Sequence, residues 1–191
     1  MVIDGAGTRR GLVQACGAAA AAVAAILLDA CGGSDSTGAA LHKLASPARS
    51  VDVAILNQGL DLEYGAVAAY TAGIPLLSGD AARVAEQFLG QELSHAGELY
   101  GLIKEAKGKP HNQQQSYPIA QARSESEVLA LLHELELAQI RFYLAAIPKL
   151  SPGSVRAAVA SVLANDAQHL AFVRASMHRS PLTSPFVTGQ Q

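Results

Sequence analysis

The sequence predicts an all-α protein whose body is four helices arranged as two similar hairpins, and three observations carry that prediction. Hydrophobic residues make up 50% of the 191 residues but aromatic ones only 5%. Much of the apolar content is Ala and Leu, which favour helix, while the β-branched and aromatic residues that mark strands are sparse. Apolar residues also recur at alternating spacings of four and three, and the two halves of the body carry the same marks at a nearly fixed offset. The length suits one domain with a real core plus additional segments. Fourteen Lys and Arg against sixteen Asp and Glu give a net charge of −2 without a basic stripe, which excludes an electrostatic nucleic-acid surface. Two cysteines exclude a disulfide framework.

Residues 1–31 read as an export leader: Arg9 and Arg10, an apolar stretch from about Leu12 to Leu28 with an Ala run, then Leu28-Asp29-Ala30-Cys31. The stretch is short for a spanning helix and ends in small residues. Thr8-Arg9-Arg10-Gly11-Leu12 resembles the twin-arginine export motif. Leu28-Asp29-Ala30-Cys31 resembles a bacterial lipobox, which implies lipidation of Cys31 as the first mature residue. Asp29 stands where such a motif has a small uncharged residue. Residues 32–50, beginning Gly32-Gly33-Ser34-Asp35-Ser36, read as a flexible tether. Cleavage there removes Cys16 and leaves 12 Lys and Arg against 14 Asp and Glu, still a net −2. With Cys31 lipidated, no thiol is left for chemistry.

Four helical segments follow over residues 51–74, 80–107, 125–147 and 154–178. Pro75, Gly79-Asp80, Gly108-Lys109-Pro110, Pro148 and Ser151-Pro152-Gly153-Ser154 punctuate them, with Asp80 and Ser154 as candidate N-caps. An offset of 73 superposes Leu62-Glu63 on Leu135-Glu136, Tyr70 on Tyr143 and Ile74-Pro75 on Ile147-Pro148. One inserted residue, Pro152, raises the offset to 74, where Leu89 meets Leu163, Glu92 meets Asp166 and His95 meets His169. Residues 108–124 are long enough to cross the length of a bundle, since 17 residues reach at most about 60 Å and a 28-residue helix measures roughly 42 Å. The Lys109 to Gln115 stretch with its lone His111 reads as a solvated loop.

The first helix carries one stripe of Leu56, Leu60, Glu63, Val67, Tyr70 and Ile74, and the third carries Leu129, His133, Glu136, Ile140, Tyr143 and Ile147. Each apolar face thus has a carboxylate in its middle, which is costly to bury unless it is paired or binds metal. The second and fourth helices supply Glu92 with His95 and Asp166 with His169, each an i, i+3 pair on one face. Four carboxylates and two imidazoles suit two divalent ions, and oxygen and nitrogen donors without thiolate suit iron or manganese rather than structural zinc or an iron–sulfur cluster.

With these residues in place, the chain over residues 51–178 resembles the ferritin-like di-iron or di-manganese carboxylate proteins, whose pattern is one Glu on each of two helices and Glu-x-x-His on each of the others. Asp52, Ile55-Leu56-Asn57 and Leu62-Glu63-Tyr64 are similar to the exported bacterial ferritin-like family that includes desiccation-related proteins. The resemblance implies a four-helix bundle with a long crossover and, as metal ligands, Glu63, Glu92, His95, Glu136, Asp166 and His169. Asp166 is one methylene shorter than the usual Glu. Tyr70 and Tyr143 read as core packing, with hydrogen bonding or radical relay near the metals as the alternative; His133 reads as a hydrogen-bonded core histidine, with support of a metal ligand as the alternative; Asp61 and Glu134 read as solvated. The tail, residues 179–191, has no repeat partner and no assigned role.

The expected function is redox chemistry at two iron or manganese ions, either ferrous-ion oxidation or peroxide removal, in a membrane-tethered protein of a bacterial envelope. Its expected partners are metal ions, O2 or H2O2, the membrane through the lipid, and a second copy in a homodimer; no nucleic acid is expected. A stress-protective or structural bundle without turnover, and a surface scaffold, are the alternatives.

Overall fold

Each segment with helical periodicity forms a helix in the computed structural model, which describes residues 46–114, 116–117 and 122–190, with side chains from residue 50 onward. Helix α1 spans Ser46–Gly73, α2 Gly79–Glu105, α3 Glu125–Ala146 and α4 Gly153–Ser176. The leader, Cys31 and residues 32–45 of the tether lie outside the described residues. Residues 46–50, expected in the tether, belong to α1. Pro47 falls in its first turn, where a missing N–H removes no helical hydrogen bond.

The repeated Ile-Pro pairs make the same corner twice. Ile74–Leu76 and Ile147–Lys149 are single 3-10 turns, closed by Leu77 N–H to Ile74 O at 3.0 Å and by Leu150 N–H to Ile147 O at 3.3 Å. Neither expected N-cap holds. Gly79, at φ +53°, turns the chain so that α2 starts ahead of Asp80, whose carboxylate instead pairs with Arg83 at 2.9 Å. Pro152 precedes α4, leaving Ser154 inside its first turn. The side-chain cap that does form is Ser124, whose Oγ accepts the Glu127 N–H at 3.3 Å at the start of α3.

Close approaches between helices fix the topology. A Cβ on Gly59 would lie 3.2 Å from Tyr143, and one on Gly73 would lie 2.7 Å from Val128, so α1 and α3 run antiparallel. Gly108, just past α2, packs against Val53 near the start of α1, whereas Ser78 donates to Glu125 at the start of α3 at 2.8 Å. The connection from α2 to α3 therefore joins opposite ends of the bundle. Its first part is fastened to α1: Asn57 Nδ2 donates to Lys109 O at 3.0 Å, and Asn57 Oδ1 accepts from the His111 N–H at 2.7 Å. The His111 ring meets Asp61 at 2.8 Å, so two residues whose side chains reach solvent, as expected, also clamp the crossover.

The tail also gains a place. Arg174 Nε donates to Ser180 O at 2.8 Å and Arg141 Nη1 to Gly189 O at 2.7 Å, holding it across α3 and α4. Inside the bundle, one apolar cluster gathers Leu56, Leu60, Leu99, Ile103, Val159 and Val162 toward one end. A second gathers Ala66, Ala69, Ala85, Val128, Leu129, Leu132 and Val173 toward the other. Both predicted stripes face inward, and the two mid-stripe carboxylates lie between the clusters. Among the described residues no helix is long and apolar enough to cross a membrane.

Candidate metal centre

The four helices bring all six predicted ligands into one buried cluster. Glu63, Glu92, Asp166 and His169 have no exposed surface, Glu136 has 1% and His95 has 9%. The Nδ1 atom of His95 faces three carboxylates, lying 3.4 Å from Glu63 Oε2, 3.8 Å from Glu92 Oε2 and 3.5 Å from Asp166 Oδ1. His169 Nδ1 lies 3.0 Å from Glu92 Oε1 and 3.4 Å from Glu136 Oε1. Two sets of donor atoms result, each within 4.8 Å internally: Glu63, Glu92 and His95, and Glu92, Glu136, Asp166 and His169. Glu92 is common to both.

Around this cluster lies a set of polar contacts that obeys the same twofold repeat. Tyr70 of the first hairpin donates to Glu136 of the second at 2.6 Å, and Tyr143 of the second donates to Glu63 of the first. These tyrosines are buried, but their hydroxyls steer the carboxylates, so packing alone does not describe them. His169 Nε2 meets Gln91 Oε1 at 2.6 Å and His95 Nε2 meets Asn165 Oδ1 at 3.0 Å. An amide oxygen only accepts, so each Nε2 carries a proton and each ring turns its Nδ1 toward the centre. Gln91 and Asn165 were missed in sequence, although they sit at the offset of 74 immediately before Glu92 and Asp166. Gln139, also missed, donates to Glu92 Oε2 at 3.1 Å. Its repeat counterpart is Ala66, so no repeat signal marks it. His133 is the buried core histidine expected, with Nε2 3.3 Å from Arg174 Nη1, while its Nδ1 lies 3.2 Å from Glu134, which is exposed but not solely solvated.

The electrostatics are those of four buried carboxylates crowded around two imidazoles. Burial pushes Glu63 up to about 8 despite the opposing attraction of the His95 imidazole. Burial likewise raises Glu136, and it raises Asp166 strongly, helped by the charges of Glu63, Glu136 and Glu92. Glu92 goes the other way: burial favours its neutral form, but His169 and His95 outweigh that and hold it below the ordinary carboxylate range. Burial pulls the imidazoles down, yet Glu63 and Glu92 carry His95 up to about 10, and Glu136 and Glu92 carry His169 up to about 9.

These shifts fix the sign of a pH dependence. The folded chain holds the Glu63 proton more tightly than the unfolded chain from about pH 4.5 to 8, and the His169 and His95 protons from about 6.5 to 9 and 10. Each contribution is complete below the lower value and is lost as pH rises through the upper one. The depressed Glu92 works oppositely, losing its contribution only in acid. Raising the pH from 6.5 to 9.5 is therefore expected to lower the melting temperature of the metal-free chain by at least about 4 °C. Circular dichroism melts across that range check it, and a flat or rising profile would contradict it.

Eight buried polar atoms in this cluster have no hydrogen-bond partner: Glu63 Oε2, Glu92 Oε1, His95 Nδ1, Glu136 Oε2, Gln139 Oε1, both Asp166 oxygens and His169 Nδ1. Native interiors leave few such atoms, because each costs about 1–3 kcal/mol or more when unsatisfied. Apart from Gln139 Oε1 they are metal-ligating atom types, and they converge. The residues present therefore fit two hard or borderline divalent ions, with oxygen donors in the majority and one imidazole each.

Comparison with known proteins agrees with this geometry. Residues 51–179 match the family model of the Ferritin-like domain. The fold is similar to a conserved hypothetical protein of Mycobacterium tuberculosis, at a TM-score of 0.65 and 16% identity over 72% of this chain and 97% of that one. It is also similar to a ferritin-like, diiron-carboxylate protein from Bacillus anthracis, at a TM-score of 0.51 and 20% identity over 71% of this chain and 95% of that one. Among curated proteins no sequence matches the chain.

Proposed function

The chain belongs to the ferritin-like domain family, and from that premise we propose that its buried cluster holds two iron or manganese ions and performs redox chemistry on ferrous ion or peroxide outside the cytoplasm. The observation that carries the reading is the set of orphaned ligand atoms, which would otherwise be a large uncompensated burial cost. Glu63, Glu92 and His95 would hold one ion, and Glu92, Glu136, Asp166 and His169 the other. Bound iron or manganese would, by changing oxidation state, carry electrons from ferrous ion to dioxygen, or from one peroxide, oxidised to dioxygen, to a second, reduced to water.

The protein's own residues prepare that chemistry. Tyr70 and Tyr143 fix Glu136 and Glu63 through their hydroxyls, and Gln139 fixes Glu92, so three of the four carboxylates are oriented before an ion arrives. Gln91 and Asn165 set the tautomer of His169 and His95. The flanking apolar clusters exclude water, strengthening each charge interaction within. Asp166 accepts no hydrogen bond and has the shortest carboxylate side chain of the set, so its hold on an ion depends on the ion alone. Arg9-Arg10 and the Leu28 to Cys31 segment support export and a lipid tether; acyl chains in combination, unlike a single one, would hold the protein at a membrane.

The test is turnover by the full chain loaded with ferrous or manganous ion. Oxygen consumption with excess ferrous ion, or oxygen release from peroxide with manganese, is expected, and neither should survive in a Glu63→Gln/Glu136→Gln double variant. Metal bound without either activity would reject redox turnover and leave a stress-protective or structural bundle.

A further inference from the structure

The centre is sealed on nearly every side. Phe88 stacks on the His169 ring at 4.0 Å, with Phe172 edge-on behind it at 5.6 Å. Tyr70 and Tyr143, each 1% exposed, close the α1–α3 side. Leu137, Ile140 and Leu170 close the α3–α4 side, and the two larger apolar clusters close the ends.

The exception lies between α2 and α4. A groove of about 510 Å³ opens there, lined by Ser94, Glu98, Ser161, Asn165 and Gln168 with His95 at its floor. His95 is the one cluster ligand with appreciable surface, its side chain 11% exposed, against 0–1% for the others. Its ring stands between the two environments: Nε2 bonds to Asn165 of the groove wall, and the unpartnered Nδ1 faces Glu63, Glu92 and Asp166. The groove lining contains no Lys or Arg, and Glu98 is its single exposed charge. Hydroxyl and amide oxygens around one carboxylate favour a hydrated divalent cation and disfavour an anion.

We propose that this α2–α4 groove is the port by which divalent cations reach the buried centre, with Glu98 drawing them in and His95 receiving them. The proposal rests on the metal-binding reading above and adds a direction to it: loading is one-sided, and the Glu63, Glu92 and His95 position exchanges with solvent faster than the position at His169, which has no exposed surface. Glu98 is too exposed to be a ligand of the centre, so its role is kinetic and fades with salt.

The test is stopped-flow uptake of cobaltous ion by the metal-free full chain, read by the visible absorption of the coordinated ion, with final stoichiometry measured separately. Ser161→Trp, which plugs the groove, is expected to slow uptake at least tenfold. Glu98→Gln is expected to slow it about threefold to tenfold at low ionic strength and much less at 0.5 M salt. Both variants should reach the wild-type stoichiometry, and Glu105→Gln, at the end of α2 and outside the groove, should load at the wild-type rate. Should Ser161→Trp fail to fold by circular dichroism, the salt-dependent Glu98→Gln effect decides alone. Wild-type uptake rates in the groove variants, with full loading, would overturn the port and leave the metal centre standing. A folded wild-type chain that takes up no cation at equilibrium would overturn the metal centre and the port together.

Discussion

Adding ferrous or manganous ion to the metal-free chain is expected to raise its melting temperature by at least about 10 °C and to saturate at two ions per chain, and the Glu63→Gln/Glu136→Gln double variant is expected to do neither. A ligand present at a thousand times its dissociation constant stabilises a fold by about 4 kcal/mol per site, and a chain of this size gains about 2–4 °C per kcal/mol. Two sites built from seven orphaned ligand atoms make that a lower bound. The amide variant keeps a side-chain oxygen for Tyr143 and Tyr70 to donate to, so its packing survives while one anionic ligand is removed from each donor set. Anaerobic melts and elemental analysis after gel filtration read the two outcomes. A folded chain with no shift and no metal would leave a ferritin-like relative that has kept the fold without the ions.

The same double variant is expected to be more stable than the wild type when both are free of metal, because two of the four crowded carboxylates lose their charge. Four carboxylates share a space with two imidazoles, and Glu63, Glu136 and Asp166 are all pushed toward their neutral forms there. Two amides remove like-charge repulsion and the cost of burying charge. Urea denaturation of both chains at pH 7.5, after exhaustive chelation, measures the difference. The metal thus inverts the ranking: the wild type is the stronger fold when loaded and the weaker when empty. A metal-free variant less stable than the metal-free wild type would mean that the acidic cluster supports the bundle through its own hydrogen bonds, the behaviour of a structural protein.

Much of this centre was legible because the chain states it twice. Glu63 and Glu136 interrupt two apolar stripes at the same register, and Glu92 with His95 is answered by Asp166 with His169; coincidence explains one such pair but not three positions in step. Gln91 and Asn165 obeyed the same register and were readable in principle, but amides only partly or not at all buried look like any solvated helix position. Gln139 was not readable, since its counterpart is Ala66 and only the assembly of the four helices brings its amide across the interior onto Glu92. The contact of His111 with Asp61 was unreadable for a related reason: they are 50 residues apart, and the clamp exists only because the crossover is laid along α1.

The sequence by itself determined the four helices, their pairing into two hairpins and the face each turns inward, because periodicity and proline placement act over a few residues and are written locally. Only the tertiary structure decided which atoms of those residues converge, that each tyrosine serves the opposite hairpin's carboxylate, and that the α2–α4 side alone leaves a ligand in reach of solvent. Those outcomes depend on how four helix faces meet, and a distance between side chains on different helices has no signature in the spacing along either one.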